Sequence, residues 1–194
     1  MSNLYPEELP EQPQTGQRSE ITIRQTVAAV LRELIQTVLP AVIIVLAVNV
    51  FVARACYVEN ISMEPTLYEA QRLILEKVSY YLHPPERGDI IVFYMPEIDE
   101  EPLIKRVIGL PGETIEIRDG HVLINDQVLE EPYLQQGTYP NRQPTLVPDQ
   151  TVFAMGDNRG ESYDSRYFGF VPFSAIRGRA CFRYWPPTKV GVVE

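Results

Sequence analysis

The sequence predicts a mainly β protein, in which an antiparallel β domain follows a single membrane-spanning helix. Two observations support this fold class. The segment 34–53 contains no charged residue. After it come short segments rich in Val, Ile, Leu and aromatic residues, separated by Pro, Gly, Asn and Asp. Past residue 60, helical periodicity is absent except for one short turn near 172–176.

The first 54 residues predict a tail and a helix. Residues 1–19 contain three prolines and no apolar period. This composition buries too little surface to offset the entropy of ordering, so we predict a disordered tail. Residues at helical spacing follow Ser19 and lead into the charge-free segment. Twenty residues at about 1.5 Å each match the ~30 Å core of a bilayer. We therefore predict an amphipathic lead-in and a transmembrane helix over 20–54, with the span at about 34–53.

Two other interpretations of this segment compete with a spanning helix. A cleaved signal peptide is disfavoured because the segment is long, starts far from the N-terminus and lacks a basic leader. The core helix of a soluble protein remains the simpler alternative. Three arginines precede the span and two follow it closely, which slightly favours a cytoplasmic N-terminus. The β domain is then expected on the outer (periplasmic, extracellular or lumenal) side of the plasma membrane or another energy-transducing membrane.

Residues 55–194 predict the β domain. Apolar segments predict strands at 72–78, 89–94 and 103–108, and an alternating pattern predicts one at 114–118. Asp119-Gly120 and Asn125-Asp126 predict hairpin turns into the segments 121–124 and 127–129. The proline-containing segment 131–150 shows little pattern and predicts a long loop. Strands at 151–155 and 180–184 complete the domain.

Composition argues against several functions. The net charge of −9, spread along the chain, disfavours a nucleic-acid partner. The acidic segment 97–101 is interpreted as a solvated loop. Cys56 and Cys181 lie far apart without CxxC spacing, so zinc is not expected. A disulfide between them and two free thiols both remain open. We expect neither a metal nor a cofactor.

Ser62 and Lys105 are the pair that offers chemistry. A serine hydroxyl is a weak nucleophile until a base removes its proton. His83 precedes Pro84-Pro85 in a predicted turn and His121 follows a hairpin turn, and these contexts disfavour a Ser-His-Asp triad. Lys105 lies among apolar residues of a predicted strand, and burial lowers a lysine pKa by penalising the charged form. A neutral Lys105 would accept the Ser62 proton. A lone strand lysine is usually a surface residue, so the hypothesis rests on the combination of this lysine with Ser62.

A polar loop at 156–169 is the third feature. By itself it is also compatible with a structural turn rich in Asp and Asn, or with a calcium loop. Calcium is disfavoured because Arg159 and Arg166 would repel the ion and the acidic residues are wrongly spaced. Asp164 and Arg166 lie on one side of an expected extended segment, so we predict a structural ion pair that fixes the loop.

Four stretches together resemble the type I signal peptidases, the Ser-Lys proteases that remove signal peptides from exported proteins. They are 62–67 (SMEPTL), 87–93 (RGDIIVF), 104–113 (IKRVIGLPGE) and the loop 156–169, in the family's order and behind a membrane anchor. The resemblance implies an antiparallel β catalytic domain of the signal-peptidase type. It also implies a serine endopeptidase that cuts after small residues, at Ala-X-Ala sites, through an acyl-enzyme. Only about fifty residues separate the lysine from the last stretch, so the chain resembles a compact, core-only member.

The resemblance implies a role for each matched residue. Ser62 is the expected nucleophile, Lys105 the general base and Ser162 the residue that orients the lysine amine. The backbone N–H of Ser62 supplies one oxyanion donor. The family often has a serine two positions earlier as the second donor; here Asn60 stands in its place, and its N–H₂ group is a hypothetical donor. Four residues are expected to line shallow substrate pockets, with plain core packing equally open: Val58, Met63, Leu103 and Ile104.

Preprotein signal peptides and the lipid bilayer are the expected partners, and the oligomeric state is not indicated. Two alternatives differ in class. A self-cleaving repressor-type Ser-Lys protease needs a DNA-binding domain and no spanning helix. A non-catalytic membrane-anchored β module would be expected to lack an intact Ser-Lys pair.

Overall fold

The computed structural model describes residues 15–47 and 53–193, which belong to two units divided after Ala47. The described part of the first unit is one helix, α1 (Thr15–Ala47). It begins within the segment predicted as a disordered tail, because residues 15–19 continue the helical turns; residues 1–14 lie outside the described part. The stretch Gln25–Val45 has a mean hydropathy of 1.8 with none of it buried, and its length and composition suit a membrane span. This stretch starts earlier than the predicted span at 34–53. Residues 48–52 lie outside the described part, and Ala53 and Arg54, predicted as the end of the helix, belong to a β-strand that begins at Ala53.

The second unit is built from twelve described strands, two one-turn α-helices and two one-turn 3-10 helices, Phe173–Ala175 and Pro187–Lys189. The α-helices are α2 (Ser79–Leu82) and α3 (Ser165–Phe168). The strands are β1 (Ala53–Tyr57), β2 (Arg72–Glu76), β3 (Ile90–Phe93), β4 (Leu103–Gly109), β5 (Thr114–Arg118), β6 (His121–Ile124), β7 (Gln127–Val128), β8 (Arg142–Leu146), β9 (Thr151–Met155), β10 (Val171–Pro172), β11 (Ile176–Trp185) and β12 (Gly191–Val192).

The strands form two antiparallel sheets. The larger has the order β1-β2-β11-β3-β4-β9-β10, with β12 paired to β11, and the smaller has the order β7-β6-β5-β8. The prediction of a mainly antiparallel β fold with one N-terminal apolar helix is therefore confirmed. The predicted hairpin turns lie where β5 meets β6 and where β6 meets β7, with Asp119, Asn125 and Asp126 at positive φ.

The prediction of a continuous loop at 131–150 is wrong, because β8 pairs with β5 within it. The sequence of β8 contains Pro144 and lacks an apolar alternation, and two of its residues are intermediate in burial while three are exposed. A proline is tolerated on an edge strand, where one N–H faces away from the sheet. The pairing is therefore set by its contact with β5 and not by a local pattern.

Strand β4 lies in the middle of the larger sheet, between β3 and β9. All seven of its residues are buried, which includes both charged ones, Lys105 and Arg106. Consecutive side chains of a strand point to opposite faces. The strand therefore carries one buried cation toward each face of the sheet.

Candidate active site

Ser62 lies in a turn that follows β1. The turn is anchored by Met63 and Leu67, both fully buried in one core cluster, and by a hydrogen bond from the Leu67 N–H to the Met63 carbonyl at 2.9 Å. The Ser62 carbonyl accepts a hydrogen bond from the N–H of Asn158 at 3.0 Å. The turn thus holds the serine against the polar loop 156–169 from the opposite end of the chain.

Lys105 reaches Ser62 from β4. Its Nζ donates a hydrogen bond to Ser62 Oγ at 2.8 Å, although 43 positions separate the two residues in sequence. The lysine is 1% exposed. Burial, opposed by the Asp164 carboxylate and reinforced by the positive charge of Arg166, lowers its pKa to about 8. The structure brings the predicted nucleophile and the predicted base into direct contact.

Asn60 contacts the other side of the serine. Its Oδ1 accepts hydrogen bonds from the Ser62 hydroxyl at 2.7 Å and from the Ser62 backbone N–H at 3.3 Å. The amide therefore presents its oxygen to Ser62, whereas the predicted oxyanion role requires its N–H₂ group. The backbone N–H predicted as the other oxyanion donor is likewise occupied in this arrangement.

Gly156 packs closely against both Ser162 and Ser62. A Cβ at Gly156 would stand 2.3 Å from Ser162 Oγ and 2.4 Å from the Ser62 carbonyl oxygen. Ser162 is buried, and its hydroxyl has no hydrogen-bond partner among the described residues. The hydrogen bond to the Lys105 amine that the sequence led us to expect is not formed in this structure.

Asp164 and Arg166 fix the polar loop. Arg166 donates to the Asp164 carboxylate from Nε and Nη2, each at 2.8 Å, and the Gly156 N–H donates to the same carboxylate at 3.1 Å. The local backbone is not the extended segment that we expected. Asp164 caps α3 by accepting from the backbone N–H of Arg166, as short polar residues do at helix N-termini.

Sequence reasoning missed the role of Asp157. Its Oδ2 accepts from Thr66 Oγ1 at 2.6 Å, and its two oxygens accept from Arg106. It therefore links the serine turn, β4 and the polar loop. Its place beside Gly156 was the only signal in the sequence, because nothing local predicts a partner 51 positions away.

The four predicted pocket residues are core residues in this structure. Each is at least nine-tenths buried. Val58, Met63 and Ile104 belong to one cluster, whereas Leu103 belongs to another. Leu103 and Ile104 separate because neighbouring side chains of β4 point to opposite faces.

Within the described residues, no group of three or more His, Cys, Asp and Glu side chains is arranged to hold a metal ion. Cys56 and Cys181 are free thiols. The reactive groups of this site are thus a serine hydroxyl and a buried amine. This pair is suited to acyl transfer.

Comparison with known proteins places the chain in a family. A family model described as "Signal peptidase, peptidase S26" matches residues 31–185. Signal peptidase I of Leptolyngbya laminosa is 44% identical over 186 residues, which cover 92% of this chain and 92% of that protein. Probable signal peptidase I-2 of Synechocystis is 43% identical, over 83% of this chain and 76% of the relative. Thylakoidal processing peptidase 1 of Arabidopsis thaliana is 39% identical, over 69% of this chain and 42% of the relative.

The chain belongs to the signal peptidase family, peptidase S26, and is therefore a peptidase. The resemblance drawn from the four sequence stretches is confirmed.

Proposed function

We propose that this protein is a membrane-bound serine endopeptidase that removes N-terminal signal peptides from exported preproteins after small residues. The observation that carries the proposal is the 2.8 Å contact between the Lys105 amine and the Ser62 hydroxyl. An amine with a pKa of about 8 is partly uncharged near neutral pH, so it has a lone pair available to take a proton.

The mechanism follows from this contact. Ser62 Oγ attacks the scissile carbonyl carbon while neutral Lys105 takes the hydroxyl proton. The Ser62 N–H, once free of Asn60, donates to the oxyanion that forms. The tetrahedral intermediate then collapses. Lys105 gives its proton to the leaving amine, the mature protein departs and an acyl-enzyme remains. Lys105 next takes a proton from a water molecule, whose oxygen attacks the ester. The bond to Ser62 Oγ then breaks, Oγ takes the proton back from Lys105, and the signal peptide leaves with a new carboxyl group that loses its proton to solvent.

The location is part of the same proposal. Helix α1 would anchor the enzyme, with the N-terminus in the cytoplasm and the β domain on the outer face of the membrane. The apolar stretch Gln25–Val45 and the family of the chain both support an anchored processing enzyme. One relative is named as thylakoidal, so the thylakoid membrane is a second candidate location, in addition to the plasma membrane.

The direct test is cleavage of a preprotein with an Ala-X-Ala site by the full-length protein in detergent or lipid vesicles. Ser62→Ala should lower the rate roughly 10⁴-fold or more, as loss of a covalent nucleophile does. Lys105→Arg should do the same, because a guanidinium stays charged and cannot act as the base. Lys189→Arg, at an exposed lysine, is the matched control and should cleave normally.

Cleavage by Ser62→Ala at the normal rate would refute the proposal. Failure of the wild-type chain to cleave any Ala-X-Ala preprotein would instead favour the non-catalytic module. The Ser-Lys arrangement alone would also serve a self-cleaving protease, which would cut its own chain and leave the preprotein intact.

A further inference from the structure

We propose that Asn60 is a positioning residue that holds the Ser62 hydroxyl in a resting orientation and releases it when Lys105 loses its proton. This inference rests on the proposed Ser-Lys mechanism. It differs from the oxyanion hypothesis, because the group that acts is the amide oxygen of Asn60 and the state on which it acts is the enzyme before attack.

The geometry places Ser62 Oγ between two partners. Lys105 Nζ lies 2.8 Å away on one side, and Asn60 Oδ1 lies 2.7 Å away on the other. A serine hydroxyl has a single hydrogen to donate. Ser62 can therefore direct that hydrogen to Lys105 or to Asn60, but not to both.

The charge of Lys105 decides which partner receives the hydrogen. A charged ammonium has three donors and no acceptor, so it donates to Ser62 Oγ and leaves the serine hydrogen for Asn60. A neutral amine has a lone pair, and the serine must turn its hydrogen toward Lys105 before the proton can transfer. Charged Lys105 leaves the serine hydrogen for Asn60, whereas neutral Lys105 competes for it, so the bond between the Ser62 hydroxyl and Asn60 favours the charged form.

The same amide oxygen also holds the Ser62 backbone N–H, at 3.3 Å. A substrate carbonyl needs this donor for its developing negative charge. Asn60 Oδ1 therefore occupies a position that the substrate oxygen must take, and binding has to displace it. Asn60 is exposed, which gives its side chain room to turn away. After such a turn, its N–H₂ group becomes available as the donor that the family resemblance suggested.

Other charges near the pair also influence its titration. Asp164 and Arg166 act on Lys105 from the polar loop, together with Asp157, and Asp99 acts from the loop between β3 and β4. Arg106 is the neighbouring charge on β4, and Glu59 and Glu64 flank Asn60 and Ser62 on the serine turn. A neutral substitution at Asn60 leaves all of these in place, so it isolates the contribution of the amide.

The test is the pH dependence of kcat/KM for preprotein cleavage by full-length wild type, Asn60→Ala and Asn60→Asp. Asn60→Ala removes the acceptor that favours charged Lys105. The acid limb of its pH profile, where kcat/KM rises as Lys105 loses its proton, should move to lower pH by about half a unit to one unit. This is the net effect of one hydrogen bond. Asn60→Asp supplies a charged acceptor beside the amine, so its acid limb should move to higher pH by about one unit.

Glu59→Gln is the matched control, since it changes a charge beside Asn60 at a side chain with no hydrogen bond to Ser62 among those described. Its limb should shift much less than that of Asn60→Asp. If the acid limb of the Asn60→Ala profile stays at the wild-type pH, the inference is overturned, whether or not the maximal kcat/KM changes. With Ser62→Ala inactive in the same assay, that result removes only the role of Asn60; an active Ser62→Ala removes the proposed function itself.

Discussion

The carboxylate of Asp157 contacts the guanidinium of Arg106 at two points, from Nε to Oδ1 at 2.9 Å and from Nη2 to Oδ2 at 2.8 Å. The pair is almost completely buried, with 4% and 0% of the two side chains exposed. Arg106 also donates to the Gly88 carbonyl at 3.0 Å, and its guanidinium lies 4.1 Å from the centre of the Tyr133 ring. Because Arg106 follows Lys105 directly, these contacts fix the part of β4 from which the amine reaches the serine.

Asp157→Asn should strongly destabilise the β domain. The substitution removes the negative charge that faces a buried guanidinium, and breaking a buried ion pair in this way typically costs about 3–5 kcal/mol. Denaturant unfolding followed by fluorescence of Trp185, the single tryptophan, measures the change. Arg118→Ala is the control, because the Arg118 side chain is 56% exposed and its pair with Glu116 should contribute less than about 1 kcal/mol. Equal losses in the two variants would contradict this account.

Gly156→Ala should abolish cleavage. The added Cβ would meet the Ser162 hydroxyl and the Ser62 carbonyl oxygen at distances that real Cβ atoms do not adopt, so the serine turn and the polar loop must separate. Cleavage of an Ala-X-Ala preprotein is the measurement. Gly160→Ala, in the same loop, meets only the end of the flexible Gln136 side chain, at 3.1 Å, and should remain active. Normal activity in Gly156→Ala would show that cleavage does not require the close packing of Gly156 against Ser162 and Ser62.

The sequence predicted the fold class because its strands and turns leave strong local signals, whereas the pairing of Ser62 with Lys105 depended on several features taken together. The apolar segments and hairpin turns identify most strands, and a lysine among apolar residues indicates a buried amine. The family resemblance then supplied the pairing with Ser62. No local pattern contains the distance between two residues 43 positions apart, so the contact itself required the folded chain.

Other features of the fold and the site depend on contacts that exist only in the folded chain. The amide of Asn60 can present oxygen or nitrogen, and the Ser62 N–H and hydroxyl select the oxygen. Asp164 was expected in an extended segment, but one helical turn forms after it because its carboxylate caps the backbone of Arg166. Strand β8 was missed because pairing with β5, and not a hydrophobic alternation, determines it.

Ser162→Ala separates a role in stability from a role in the reaction. The buried hydroxyl has no hydrogen-bond partner among the described residues, and leaving such a group unsatisfied costs about 1–3 kcal/mol. The substitution should therefore leave the free energy of unfolding unchanged or raise it. If Ser162 orients the lysine amine during the reaction, kcat should still fall by about tenfold or more. Full activity in a stable Ser162→Ala enzyme would exclude that orienting role.

Lys105→Met should stabilise the folded protein near neutral pH while it abolishes cleavage. Burial lowers the Lys105 pKa from 10.5 to about 8, so the unfolded chain binds more protons than the folded chain between these values. Wild-type stability should then rise as pH increases through this window, and below it the full cost of burying the amine is present. At 1.36 kcal/mol per pKa unit, that cost is up to about 3 kcal/mol. The gain in the variant is smaller than this, because Lys105→Met also loses the hydrogen bond to Ser62.

Denaturant unfolding of wild type and Lys105→Met at several pH values should show a gain in the stability of the variant near pH 7 that disappears above about pH 10.5. Lys189→Met, at an exposed lysine, should show no such pH-dependent difference. A gain that is the same at every pH would mean that better packing, and not the removal of a buried titrating amine, stabilises the variant.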